Sequence, residues 1–381
     1  MSPSPFGANG PERVRQLFDA HLDAGLHHGA QLAVYDGTTP VLDVAGGVTG
    51  PEGRETTASQ KHLLFSCTKP YAGACLHHLR DRGMVDYDDR VVDHWPEFDR
   101  GDDGKAEVTV RHVLSHQAGL PTTGFEERPE EWGDWDRAVE AMEEADLVFA
   151  PGETAAYHSL SYGFLVGELV RRASGTAVDE YAREHVFEPL GMDDTSIGLP
   201  DDVSAEEVAT LVGFEPYDSC RESGAGLDTG PKDAAALFNR EAVQRATIPA
   251  ATGIGTARDM ARFYACLANG GELDGVRILS EETVGEATPC QVEVEHDGTM
   301  GVPRRYALGF ECGGTAWDKY GSLSPRTVFG HGGLGSIVGW GQSGGLARAY
   351  VTHGIRPESD HGARVTAMAD AVRTVFGPAR G

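Results

Sequence analysis

The chain has 381 residues, 40% of them hydrophobic, and carries a formal net charge of −27 from 32 basic against 59 acidic side chains. That length provides one large or two medium domains with a substantial core. The charge speaks against nucleic acid and against anionic membrane surfaces, both of which need basic patches, and no apolar run reaches the roughly 18 residues that span a bilayer.

The first residues, Met1-Ser-Pro-Ser-Pro-Phe-Gly-Ala-Asn-Gly, have neither a basic nor an apolar region, so no secretory signal is expected. Residues 11–25 predict an amphipathic helix with Val14, Leu17, Phe18 and Leu22 on one side. Residues 31–35 and 40–47 predict two strands joined by Asp36-Gly37, a hairpin signal. A helix follows at Ser66, and its run Tyr71, Ala74, Cys75, Leu76, Leu79 enters a core. From 83 to 215 the pattern is helix and loop, including a helix at 161–173 that Gly175 caps. Further helices are expected at 233–247, 257–269 and 280–287, strands near 305–312, 326–330, 334–340 and 346–353, and a last helix at 361–376.

Strands near both termini with helices between them predict an α+β fold: an antiparallel sheet flanked by helices, with an inserted all-α unit. Residues 1–82 and 300–381 would form the sheet domain and 83–299 the helical one, with an active site between them. The six cysteines (Cys67, Cys75, Cys220, Cys266, Cys290, Cys312) form no CxxC and no tight framework, which points to reduced thiols and a cytoplasmic location. Scarce lysine beside abundant Gly, Ala, Arg and Asp fits a GC-rich genome, but that does not require such an excess of acid. Acidic side chains keep proteins soluble in concentrated salt, so a salt-adapted cytoplasm is the expected setting.

The chemistry centres on Phe65-Ser66-Cys67-Thr68-Lys69-Pro70. Lys69 is one of five lysines, with Lys61, Lys105, Lys232 and Lys319. Unlike arginine, lysine can be moved far enough down in pKa to act as a base. Ser-x-x-Lys sets hydroxyl and amine on one helix face. Pro70 belongs in a first turn, so the helix starts near Ser66, among free N–H groups that would stabilise an oxyanion. Tyr157 stands in Tyr157-His158-Ser159, just before the 161–173 helix. The segment Val328-Phe329-Gly330-His331-Gly332-Gly333-Leu334-Gly335 is a strand running into glycines, where a substrate backbone can approach closely.

Together these segments resemble the serine β-lactamase and penicillin-binding-protein-like hydrolases, in the class C-like group that includes family VIII esterases and D-aminopeptidases. The three motifs of that group, Ser-x-x-Lys, Tyr-x-Asn/Ser and Lys/His/Trp-x-Gly, occur here in order. Leu114-Ser-His116-Gln-Ala-Gly119-Leu120, Pro189-Leu-Gly-Met192-Asp-Asp-Thr195 and Gly255-Thr-Ala-Arg-Asp259-Met-Ala-Arg-Phe263 look like further segments of the family, so the resemblance covers nearly the whole chain. It implies Ser66 as nucleophile, Lys69 as base and Tyr157 as proton relay, with the N–H groups of Ser66 and Leu334 as oxyanion hole. His331, Gly332, Gly333 and Ser159 would line the substrate site. Acyl transfer through an acyl-serine needs no metal and no organic cofactor.

Two departures shape the expected activity. The second motif ends in Ser159 instead of Asn, and the third begins with His331 instead of Lys, so a substrate carboxylate lacks its cation. The expectation is a carboxylesterase on small neutral esters. The alternatives are a D-aminopeptidase, D-amino-acid amidase or weak β-lactamase, and a non-catalytic binding module. Other patterns carry no chemistry. Gly341-Gln-Ser343-Gly-Gly345 precedes a strand-like run and reads as a hairpin turn. Gly330 to Gly335 matches G-x-G-x-x-G without a βαβ unit, and His112 with His116 lacks further zinc ligands.

Overall fold

The first hairpin forms where Asp36-Gly37 places it, between β1 (Gly29–Asp36) and β2 (Thr39–Thr49), with Leu32 opposite Val44. The other edge of β1 pairs with a strand from the far end of the chain, Leu32 facing Tyr350, so the two ends close one sheet. The structure, a computed structural model, describes residues 10–50, 52–214, 230–315 and 318–377. Its main sheet adds β3 (Arg54–Glu55), β4 (Val292–Val294), β5 (Arg304–Tyr306), β6 (Glu311–Cys312), β7 (Val328–Gly333), β8 (Ile337–Gln342) and β9 (Ala347–Thr352). The nine strands are antiparallel throughout, in the order β4-β5-β6-β7-β8-β9-β1-β2-β3.

Alternation along β1 divides the core. Leu32 and Val34 pack with Val14 and Phe18 of α1 (Gly10–Asp23) and with Val365, Met368 and Val372 of the C-terminal helix Glu358–Phe376. Ala33 and Tyr35 face the opposite layer, which contains Met260, Phe263 and Tyr264 of the helix Ala257–Ala268. The Val, Leu, Phe and Met side chains among these each contribute about 1.5–3 kcal/mol on full burial. Above that second face lie α2 (Lys69–Asp81) and α3 (Ser161–Ser174), which Gly175 ends with φ +79°. Tyr71 of α2 packs edge-on between the rings of Phe187 and Phe263 at 5.2 and 4.9 Å.

Several elements differ from the sequence expectation. The stretch 305–312 is a tight hairpin, with Tyr306 facing Glu311. The helix expected at 233–247 is two, Pro231–Phe238 and Glu241–Arg245. The strand expected at 334–340 starts at Ile337, and the preceding strand continues through Gly333. Ala257–Ala268 and Val292–Val294 fall in the stretch expected to be helical, yet one packs on the sheet and the other joins its edge. We therefore propose a division into a sheet unit that includes both and a helical unit between them.

Buried histidines give this fold a defined acid limit. Burial lowers His62, His77 and His158 to about 4 and His353 to about 3. The unfolded chain protonates near pH 6.5, the folded one only well below. The histidines' contribution to stability is therefore complete above pH 6.5 and is lost as the pH falls toward 4, at up to about 1.4 kcal/mol per pH unit for each histidine. The urea midpoint should fall steeply below about pH 6; a level midpoint down to pH 4.5 would contradict this burial.

Candidate active site

Ser66 opens a tight helical turn, Ser66–Thr68, that runs directly into α2 with Pro70 in the first turn. Standing first, its N–H has no partner within the turn. The preceding Phe65 has φ +48°, a left-handed conformation costly for a bulky residue. Its neighbours hold it: the Phe65 ring packs on Phe238 at 5.0 Å, the Thr68 hydroxyl donates to its carbonyl at 2.6 Å, and Thr68 in turn accepts from the Gly253 N–H at 2.7 Å.

The Lys69 amine is fully buried and has three polar neighbours: Ser66 Oγ at 3.3 Å, the Ser159 carbonyl at 2.7 Å and the Ala250 carbonyl at 3.2 Å. Burial brings this amine down to about 7, against the opposing pull of the Glu311 carboxylate. The Tyr157 ring centroid lies 4.7 Å from Lys69 Nζ. Burial pushes that phenol well above its usual 10. Two groups with nearly equal ordinary pKa values are thus driven apart, leaving an amine that titrates near neutrality beside a phenol that stays protonated.

The third segment lies on β7. Its end meets the serine turn at Gly333, where a Cβ would stand 2.8 Å from the Leu64 carbonyl and 3.0 Å from Phe65 Cβ. Only glycine permits that approach. Leu334 follows at φ +26° and is 36% exposed, in the turn to β8. His331 is buried with its ring 6.0 Å from that of Tyr157, and burial lowers it to about 4. Its Nδ1–H donates to the Gly332 carbonyl at 2.7 Å, which leaves Nε2 as a lone-pair acceptor without a hydrogen-bond partner among the described residues. Of Ser159, it is the backbone carbonyl that reaches Lys69.

Ser66, Lys69, Tyr157, Ser159, His331, Gly332, Gly333 and Leu334 therefore share one neighbourhood. Ser343 does not belong to it; it is exposed in the β8–β9 hairpin turn, where Gly344 and Gly345 have φ of +103° and +96°. Among the described residues no group of His, Cys, Asp and Glu could hold a metal, and no helix is long and apolar enough to cross a membrane.

Three contributors escaped the sequence. The Ala250 carbonyl gives no signal, because a backbone acceptor has no residue identity. Glu311 pairs with Lys319 at 3.1 Å, both nearly buried, against Gly332. Burial pushes the Glu311 carboxyl up, but Lys319, His331 and Arg304 outweigh it and hold it below the carboxylate range. Asp297 is buried too; its carboxylate accepts from the N–H groups of Tyr157, Thr299 and Met300 at 3.1, 2.9 and 2.7 Å and from the Tyr306 hydroxyl at 2.8 Å. The Asp297-Gly298 turn signal marks the place, and nothing in the sequence links it to Tyr157.

Asp297→Ala strands those donors, which should cost about 2–4 kcal/mol. Asp297→Asn, which can still accept from the N–H groups, should recover at least half. Urea unfolding of both variants measures it, and equal losses would show that the accepted N–H bonds matter little.

A family profile described as Beta-lactamase matches residues 14–373. The chain is 35% identical over 356 residues to the Esterase/beta-lactamase LipL of Mycobacterium tuberculosis, covering 88% of this chain and 79% of that protein. Among solved structures, a family VIII carboxylesterase is 30% identical at a TM-score of 0.83, with 96% of this chain and 98% of that one covered. A penicillin-binding-protein homolog from Caulobacter crescentus is 30% identical at 0.82, with the same coverage of 96% and 98%.

Proposed function

From the premise that the chain belongs to the beta-lactamase family and is an enzyme of serine-hydrolase type, we propose that it is a carboxylesterase that cleaves small neutral esters through an acyl-serine. The Lys69 contacts carry this reading. A neutral amine has two N–H donors and one lone pair. The Ser159 and Ala250 carbonyls take the two donors, and the lone pair is left for the Ser66 hydroxyl.

In this mechanism Lys69 removes the Ser66 proton as Oγ attacks the ester carbonyl, and the N–H groups of Ser66 and Leu334 receive the oxyanion. Tyr157 then donates its phenolic proton to the departing alkoxide and is reprotonated from the Lys69 ammonium. Its high pKa suits a group that passes protons on without resting as phenolate. Water deacylates Ser66 by the same steps in reverse.

The preference for neutral esters rests on charge. His331 is neutral, and Lys319, the cation beside the third segment, is already paired with Glu311. The resemblance to LipL and to a family VIII carboxylesterase agrees. A second reading, a D-amino-acid amidase or D-aminopeptidase, is favoured by one observation: the unpartnered His331 Nε2 would accept a hydrogen bond from a substrate ammonium. We further propose a salt-adapted cytoplasmic setting from the charge of −27. Its test is a thermal midpoint that rises between roughly 0.1 and 2 M KCl as self-repulsion is screened; a level or falling midpoint removes it.

Ser66→Ala should abolish acyl-enzyme formation, and Lys69→Ala or Tyr157→Phe should each lower kcat by orders of magnitude, whereas Ser343→Ala should be unaffected. Wild-type turnover in Ser66→Ala would refute the assignment. The kcat/KM profile should rise through about pH 7 as Lys69 loses its proton, with no fall from Tyr157 up to pH 9. Because Glu311 holds the Lys69 pKa up, Glu311→Gln should move that rise to lower pH.

Substrate class is decided by comparing kcat/KM for p-nitrophenyl acetate or butyrate with nitrocefin and D-alanyl p-nitroanilide. The ester should lead nitrocefin by at least one to two decades, since a charge-assisted bond worth about 1.5–3 kcal/mol is missing. A better rate on the anilide would transfer the assignment to the amidase reading.

A further inference from the structure

Of the groups the mechanism leaves unused, Cys67, Cys75 and Cys266 are buried core thiols, and Cys220 lies outside the described residues. His116 is placed differently. It follows the short helix Val110–Leu114, is buried, and has φ +61°, a left-handed conformation that few non-glycine residues adopt. Its carbonyl and its ring both meet the segment that carries Tyr157. The Ala156 N–H donates to the His116 carbonyl at 3.1 Å, and the His158 N–H donates to His116 Nδ1 at 3.0 Å. Between them, the Tyr157 N–H donates to Asp297 at 3.1 Å.

Three successive N–H groups are thus fixed by two residues, and His116 takes the outer two. Its ring lies 4.9 Å from that of Tyr157 and 4.7 Å from that of Tyr306, whose hydroxyl donates to Asp297 at 2.8 Å. We propose that His116 is a positioning residue for the proton relay: Nδ1, as an acceptor, holds the 156–158 backbone so that the Tyr157 phenol meets the departing oxygen. The proposal rests on the reading of Tyr157 as proton donor in ester cleavage. Nδ1 accepts only in the neutral imidazole, with the proton on Nε2. Burial, with His158, Lys69 and His331 adding to it, lowers His116 well below its usual 6.5, so the acceptor persists at neutral pH. His158 secures the same segment, its Nδ1–H donating to the Ala156 carbonyl at 2.6 Å while Nε2 accepts from the Leu120 N–H at 3.1 Å. His112, four residues before His116, takes no part; its Nδ1 accepts from the Thr109 N–H at 3.2 Å and caps its own helix.

Leaving groups differ in how much they need that phenol. A p-nitrophenolate departs as a stable anion, whereas an ethoxide is strongly basic and must take a proton as its C–O bond breaks. A catalytic group displaced by about 1 Å can cost on the order of 10²-fold in rate. A shifted Tyr157 therefore penalises an ethyl ester far more than the p-nitrophenyl ester of the same acid. A general loss of packing would lower both alike.

The test compares kcat/KM, which covers the steps through acylation, for ethyl butyrate and p-nitrophenyl butyrate on the full-length protein. His116→Phe keeps a ring and removes the acceptor; it should lower the ethyl ester about 10²-fold and the p-nitrophenyl ester by less than about tenfold. His116→Asn places an acceptor oxygen near the position of Nδ1 and tolerates the left-handed backbone, so it should recover at least about tenfold of the ethyl-ester loss. If His116→Phe does not fold, His116→Gly, which suits φ +61°, makes the same comparison. Equal losses on the two esters, no loss on either, or an asparagine variant no better than the acceptor-free one would each overturn the proposal. A wild type without ester turnover, or turnover that survives Ser66→Ala, refutes the serine-esterase reading and this proposal with it, so the wild type and Ser66→Ala tell the two failures apart.

Discussion

An amine held out of water is the constraint on which the site depends. Lys69 is fully buried, and an ammonium there would cost far more than one in solvent unless paired. Among the described residues no carboxylate hydrogen-bonds to it, only two backbone carbonyls and one hydroxyl. That set satisfies a neutral amine completely and, in the proposed mechanism, would tolerate the charged form for the length of a proton transfer. The acceptors come from three places: the serine turn, the loop before α3, and the residues after the helix Glu241–Arg245. The helical layer must therefore fold around α2 for the amine to have its partners at all. Arginine could not serve here, because its charge cannot be moved into the working range.

A second constraint is the close approach of β7 to that turn. Gly333 allows the strand to touch Leu64 and Phe65, while Gly332, on the opposite face, leaves room for the Lys319 side chain. The left-handed Phe65 lies at the same contact, fixed by Phe238 and by the Thr68 and Gly253 hydrogen bonds. Local strain is thus concentrated where the Ser66 N–H must point outward, and the packing around it supplies the restraint. Arg364 secures the far side of the β7–β8 turn by donating to the Gly335 and Gly354 carbonyls at 2.8 and 2.9 Å, tying that turn to the C-terminal helix.

What was legible in the sequence followed short-range rules. Pro70 located the start of α2, Asp36-Gly37 the first hairpin, Gly175 the end of α3, and the residues after Ser343 a strand instead of a helix. What was not legible depended on partners remote in sequence. Gly330, Gly332 and Gly333 have poor strand propensity, yet His331 pairs with Gly339 and Gly333 with Ile337, because β8 supplies the ladder. The stretch 305–312 carries unbroken strand signals but folds back at Gly309, with φ +84°. Ser159 was legible as a residue, but the contact of its carbonyl with Lys69 was not, since a backbone acceptor carries no residue identity. Asp297 and Glu311 act through contacts to positions 140 and 8 residues away, Tyr157 and Lys319, which no periodicity encodes.

On the proposed function, charge would act on this protein at two ranges that select in the same direction. Within the site the ionisable groups compensate one another: Lys69 sits near its neutral form, His331 is neutral, and Glu311 is matched by Lys319. Around the site the chain carries −27, a field that repels anions over a Debye length of about 8–10 Å at moderate salt. In the proposed esterase reading, a carboxylate-bearing substrate would meet repulsion on approach and, among the described residues, no unpaired cation beside His331 on arrival. A neutral ester would meet neither. The outer field fades as salt rises and the inner compensation does not, because buried pairs are screened far less than exposed charges. On the proposed reading, discrimination against anionic substrates at high salt would then come from the site itself, from a histidine standing where a lysine would have supplied the charge.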